Sequence, residues 1–160
     1  MKIYLILHNI RSVFNVGSIF RTADAFGVKK IYLVGYTPDP APKTALGAEK
    51  YVEYEKVKNV QKLIRELKEE FFFVSLEQSQ NSVPLNCFVS LASRKKSKKF
   101  PHQFKNFKKM AIILGNEVRG IPKSILQKSD TVLEIPMRGK KESLNVSVAA
   151  GITLYAIINS

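Results

Sequence analysis

The sequence predicts an α/β fold in which a mostly parallel sheet is flanked by helices. Two observations carry this expectation. Short β-type runs alternate along the chain with segments of helical periodicity, the order of an α/β layer fold. Most of those runs are continuously apolar rather than alternating, as befits strands covered on both faces. With 160 residues, 45% of them hydrophobic, the chain has the size of one ordinary domain with a single core.

The expected strands are "KIYLIL" (2–7), "KIYLVG" (30–35), "FFFVSL" (71–76), "MAIILG" (110–115) and "TVLEIP" (131–136). Between the first two, Val16, Ile19, Phe20, Ala23 and Phe26 repeat at helical spacing, with Asn15 as the expected N-cap and Gly27 as the C-cap. Val60, Leu63, Ile64 and Leu67 form the stripe of a second helix within 57–70. Pro122 suits the first turn of a short helix. A last helix runs from about Asn145 to Ile158 and is apolar enough to be buried. The one biased stretch, "RKKSKKFPHQFKNFKKM" (94–110), is basic, lacks acid and reads as a surface excursion between two strands.

Lys and Arg number 26 against 13 Asp and Glu, a formal charge of +13. Clustered cations gain affinity for polyanions by releasing counterions, so a nucleic acid is the expected partner. A membrane surface ranks lower, because no helix pairs a basic face with an exposed apolar one. No apolar run is long enough to span a bilayer, and "MKIYLILHNIRSV" lacks a signal-peptide cleavage pattern. Cys87 is the only cysteine, and His8 and His102 are the only histidines. An internal disulfide is excluded, no metal site is expected, and the cytoplasm is the expected location.

Three strand-end loops concentrate polar residues. Arg11, Asn15, Ser18, Arg21 and Thr22 surround the start of the first helix, where free N–H groups and guanidinium forks suit an anion. A cap plus solvated arginines is the plainer alternative. In "LGNEVRGI" (114–121), Gly115 and Gly120 permit tight turns, and Glu117 with Arg119 makes either a ligand contact or a structural ion pair. In "IPMRGKKESLNVS" (135–147), one cap accounts for one of Ser143 and Asn145 but not both. The fingerprints G-x-G-x-x-G, G-x-x-x-x-G-K-[ST] and G-x-S-x-G are all absent, which removes the usual support for dinucleotide, P-loop and hydrolase chemistry.

Taken in order, "NIRSVFNVGSIFRTADAFGV" (9–28), "IILGNEVRGIP" (112–122) and "IPMRGKKESLNVSVAAGITLY" (135–155) resemble the three signature motifs of the SpoU/TrmH branch of the SPOUT RNA methyltransferases. The resemblance covers nearly the whole chain and implies an α/β knot with a deep C-terminal trefoil knot, an exception to the rule against threaded connections. It implies S-adenosylmethionine as cofactor, a homodimer, and methyl transfer to a ribose 2′-hydroxyl of RNA, with tRNA ahead of rRNA. Carried over by position, Arg21, Asn15, Ser143, Asn145 and Glu117 are the catalytic candidates. Leu76, Gly115, Ile135, Met137, Ser143 and Leu144 are the candidates around the cofactor. Arg21 suits gripping phosphate and stabilising developing alkoxide charge; a guanidinium pKa above ~12 stands against its being the base.

Many relatives append RNA-binding segments. This chain, read as a single methyltransferase domain over 1–160 with no appended RNA-binding domain, is expected to supply its own RNA affinity. Arg11, Arg21 and the excursion lysines Lys95, Lys96, Lys98 and Lys99 are the candidates. The excursion's Phe100, Phe104 and Phe107 could stack on bases or pin the segment to the core.

Overall fold

The structure, a computed structural model, describes residues 1–92 and 107–159. A seven-stranded sheet runs β3-β2-β1-β6-β4-β7-β5. Its strands are β1 (Lys2–His8), β2 (Lys30–Val34), β3 (Glu53–Val57), β4 (Phe71–Leu76), β5 (Val83–Pro84), β6 (Lys109–Leu114) and β7 (Thr131–Glu134). Every pairing between these strands is parallel. The helices are α1 (Val13–Ala25), α2 (Pro42–Ala45), α3 (Val60–Leu67), α4 (Leu85–Ala92), α5 (Lys123–Leu126) and α6 (Val146–Ile158), with a 3₁₀ turn at Ala48–Lys50.

The continuous apolar runs are explained by two cores, one on each face of the sheet. Leu5, Leu7, Phe72, Ile112 and Leu114 pack with Ile19 and Phe20 of α1, Phe88 of α4 and Leu154 of α6. Ile6, Phe71, Phe73 and Ile113 pack on the other face with Leu63 and Ile64 of α3 and Ile125 of α5. Most residues of the central strands β1, β4 and β6 therefore bury their side chains whichever way they point.

Several expectations need correction. Ser12, not Asn15, caps α1: its hydroxyl accepts from the Asn15 N–H at 3.3 Å, and the helix begins at Val13. Gly27 takes the left-handed conformation (φ +65°) one residue after the C-cap, Phe26. Pro122 stands just before α5 rather than in its first turn. Within the single chain the last helix buries one face only, which leaves its expected burial in a homodimer interface untouched. Ala150, Thr153, Leu154 and Ile157 face the core, while Val148, Ile152, Tyr155 and Ile158 are exposed.

Strands β3 and β5 and helix α4 carry too little pattern to be anticipated. "EYEKV" of β3 is an exposed edge, held to the sheet partly by Lys30, which pairs with Glu53 at 2.8 Å and Glu55 at 3.0 Å. The basic excursion follows α4 rather than a strand. Lys95, Lys96, Lys98, Lys99, Phe100, His102 and Phe104 lie outside the described residues. Phe107, at its far end, is half-buried against the Phe72 ring, 5.9 Å between centroids, which for this residue is the pinning role.

Close packing of α1 on α2 depends on Gly17. A Cβ there would fall 2.3 Å from Thr44 Oγ1 and 2.5 Å from the Thr44 carbonyl carbon. Gly17→Ala is expected to destabilise the fold by roughly 1–3 kcal/mol, since overpacking forces the backbone apart. The check is the urea midpoint of the variant against wild type; an unchanged midpoint would show that the two helices can separate freely.

Candidate active site

Beyond the carboxyl ends of β4, β6 and β7 lies a cleft of about 470 Å³. That volume falls within the range of small-molecule sites, and the position is where open parallel sheets bind ligands. All six residues expected around a cofactor line it: Leu76, Gly115, Ile135, Met137, Ser143 and Leu144. Asn145 and Glu117 line it too.

The floor loop is built by side chains that replace missing backbone partners. The Asn116 Oδ1 accepts from the N–H groups of Val118 (3.0 Å) and Arg119 (2.8 Å), closing a turn after β6. Gly120 turns with φ +65°, and a Cβ there would lie 2.3 Å from Glu77 Oε2. That same carboxylate oxygen accepts from the Ile121 N–H at 2.8 Å. Both the turn and the close approach of Glu77 thus require glycine.

Glu117 joins this loop to the start of α1. Its Oε2 accepts from the Arg11 N–H at 2.9 Å; its Oε1 accepts from the Ser12 N–H at 3.0 Å and from Asn15 Nδ2 at 2.9 Å. Partial burial raises the carboxyl's pKa, but the hydrogen bonds from Arg11, Asn15 and Ser12 outweigh it, so the pKa lies below its ordinary value. Two expectations change as a result. Glu117 forms no ion pair with Arg119. The backbone donors expected to hold an anion before α1 are filled by this internal carboxylate.

Asn15 continues the connection. Its Oδ1 accepts from Asn145 Nδ2 at 3.0 Å, while Asn145 Oδ1 caps α6 by accepting from the Ser147 N–H at 2.9 Å and hydroxyl at 2.7 Å. Residues from all three polar loops therefore meet in one chain: Glu117, Asn15, Asn145. The amide orientations follow from it, because a carboxylate can only accept. A further link joins Gln78 to the third loop, with the Gln78 amide donating to the Glu142 carbonyl.

Arg21 and Arg11 are not brought into the cleft; both side chains are exposed, and neither guanidinium has an ion pair among the described residues. Sequence reasoning missed Glu77, Gln78, Asn116 and Glu134, which also line the cleft. Glu77 and Gln78 directly follow a strand that was recognised, and that position was the available signal.

The charge of the lining is distinctive. Among the described residues it contains Glu77, Glu117 and Glu134 but no lysine or arginine, in a chain with 26 of them. Apolar walls from Leu76, Ile135, Met137 and Leu144 complete it. Such a cleft favours a partly apolar, cationic small molecule over an anionic one. No group of three or more His, Cys, Asp or Glu suited to a metal occurs among the described residues. No helix among them is long and apolar enough to cross a membrane.

Residues 2–155 match the SpoU rRNA methylase family. A Bacillus subtilis protein, YacO, assigned by name to the TrmH family of tRNA/rRNA methyltransferases, is 31% identical over 159 residues, 96% of this chain and 57% of that protein. A Staphylococcus aureus protein of the same name is 32% identical over 158 residues, again 96% and 57%. The chain thus spans little more than half the length of these curated relatives. Among solved structures, the A. aeolicus TrmH/SpoU tRNA modifying enzyme superposes with a TM-score of 0.77 at 31% identity, over 99% of this chain and 74% of that one. The AdoMet-bound rRNA methyltransferase of Sinorhizobium meliloti gives 0.79 at 27% identity, over 99% and 56%.

The depressed pKa of Glu117 has a pH consequence. A carboxyl whose folded pKa lies below its unfolded value contributes stability that is present above about pH 4.5 and lost as the pH falls through the folded pKa. Wild type should therefore exceed Glu117→Gln in urea midpoint at neutral pH, and the gap should shrink on acidification below that value. A gap independent of pH would show that the charge of Glu117 contributes nothing.

Proposed function

The chain belongs to the SpoU rRNA methylase family, and from that premise we propose that it transfers a methyl group from S-adenosylmethionine to a ribose 2′-hydroxyl of RNA. The observation that carries this reading is the acidic, lysine- and arginine-free cleft at the meeting point of the three polar loops of a strongly basic chain. A sulfonium cofactor suits the cleft; a polyanionic substrate suits the rest of the surface. We place tRNA ahead of rRNA, because the 31% identical structural relative is a tRNA modifying enzyme.

When bound, S-adenosylmethionine supplies an electrophilic methyl group whose sulfur leaves with the electron pair of the broken C–S bond. The chain's own residues do the rest. Leu76, Ile135, Met137 and Leu144 give the cofactor apolar walls, with Gly115 and Ser143 between them. Asn145, which lines the cleft, is held by Glu117 through Asn15 and presents its amide on the side from which the ribose hydroxyl would attack. Arg21 stands outside the cleft, so its part is played on the RNA: it grips phosphate and, where the bound RNA brings the ribose to it, offsets the negative charge on the attacking oxygen, whose proton passes to solvent water. Arg11 and the lysines Lys95, Lys96, Lys98 and Lys99 supply further phosphate contacts.

The same reading includes one methyltransferase domain threaded as a deep trefoil knot, working in the cytoplasm as a homodimer. Val148, Ile152 and Tyr155 support the dimer: they stand at i, i+4 and i+7 of α6 and leave an apolar stripe uncovered.

Three outcomes are expected. Wild type should transfer labelled methyl from S-adenosylmethionine to bulk tRNA, and nuclease digestion with mass spectrometry should yield a 2′-O-methylated nucleoside; a base-methylated nucleoside would overturn the assignment. Arg21→Ala should abolish transfer while calorimetry finds cofactor affinity near wild type; full activity would remove Arg21 from the mechanism. Ile152→Glu should shift the species seen by light scattering from dimer to monomer, and an unchanged dimer would move the interface elsewhere.

A further inference from the structure

Tyr36 lies outside all three motifs, yet it is fixed beside the cleft. The residue is 58% exposed. An ordinary exposed tyrosine is free at its tip, but here the phenolic oxygen accepts from Asn116 Nδ2 at 2.9 Å. Asn116 lines the cleft, and its other amide hydrogen goes to the Asn9 carbonyl at 2.8 Å. The Tyr36 backbone N–H donates to Asn9 Oδ1 at 3.2 Å. Asn9 itself adopts φ +57°, and Gly35 before Tyr36 adopts φ +67°; a Cβ on Gly35 would lie 2.0 Å from Asn9 Oδ1. Thr37 after it is buried; its hydroxyl accepts from the Ile10 N–H at 3.0 Å and donates to the Leu7 carbonyl at 2.8 Å.

The segment 35–37 is thus anchored on both sides of an aromatic ring that is itself left open to solvent. Two left-handed residues are spent on placing it, a conformation that non-glycine residues seldom adopt. Exposed Arg11 follows Asn9 by two positions, and exposed Arg119 donates its N–H to Asn116 at 2.8 Å. An immobilised aromatic face flanked by guanidinium-bearing loops suits a nucleobase with neighbouring phosphates, because little side-chain freedom remains to be lost on stacking.

We propose that Tyr36 is a stacking platform for a base of the RNA that enters the cleft, an assignment that rests on the RNA methyltransferase reading. The role is one of positioning and affinity. Stacking needs the ring and not the hydroxyl, whereas a structural role through Asn116 needs the hydroxyl. The two are separable.

The experiment compares wild type, Tyr36→Phe and Tyr36→Ala for filter binding of bulk tRNA and bulk rRNA, for methyl transfer, and for S-adenosylmethionine affinity by calorimetry. Tyr36→Ala should bind RNA about 5- to 150-fold more weakly, the scale of one lost stacking contact. The loss should appear in KM for RNA rather than kcat, with cofactor affinity unchanged. The salt slope of RNA binding should be unchanged, since no phosphate contact is removed. Tyr36→Phe keeps the ring but loses the Asn116 bond that fixes it, so its loss of RNA affinity should be clearly smaller than that of Tyr36→Ala. Wild-type RNA affinity in Tyr36→Ala overturns the proposal, as does an equal loss in Tyr36→Phe or a parallel loss of cofactor affinity. If wild type neither binds nor methylates either RNA pool, the functional reading falls and this inference with it. If wild type is active and Tyr36→Ala matches it, only this inference falls.

Discussion

One carboxylate holds the site together. Glu117 takes hydrogen bonds from the Arg11 and Ser12 N–H groups and from the Asn15 amide, joining loops more than one hundred residues apart in sequence. Three donors converge there, and only a group that accepts without donating can satisfy them all; glutamine would turn an N–H against one of them. With its Nδ2 committed to Glu117, Asn15 must offer its oxygen to Asn145, and that fixes the Asn145 amide while its own oxygen caps α6. The start of the last helix and the wall of the cleft are thereby set by a residue on a different loop.

Charge is divided along functional lines. The chain carries +13 formally, yet among the described residues the cleft is lined by three glutamates and no lysine or arginine. Glu77 and Glu117 also brace the loop after β6 and the start of α1, so the same carboxylates shape the cleft and give it its sign. That division suits a cationic small molecule in the cleft and a polyanion on the surface around it.

The sheet was legible in the sequence wherever its strands were buried on both faces. "FFFVSL" and "MAIILG" have no polar face to confuse the pattern, and each lies within a residue of its strand. The edge strand β3 was not, because its glutamates are solvated and Lys30 pairs with them from a strand far off in sequence. Asn15 shows the limit of local reading: it looks like a cap, but Ser12 already caps α1, which frees the Asn15 amide for contacts that only the fold brings near. The apolar last helix did not reveal which of its faces meets the core, since composition does not tell a core face from an uncovered one. The residues around the cleft were legible as ordered motifs; Tyr36 was not, because its placement depends on Asn9 and Asn116, whose proximity no sequence spacing reveals.

The central claim is that Glu117 and Asn145, which do not touch directly, act on the cleft as one unit through Asn15. A double-mutant cycle of Glu117→Gln and Asn145→Ala, read as S-adenosylmethionine affinity by calorimetry, tests it most directly. Strong non-additivity is expected: once Glu117 is lost, removing Asn145 should cost little more, with a coupling of about 0.5–3 kcal/mol. Simple additivity of the two losses would contradict it, because the cleft would then be held by two independent contacts.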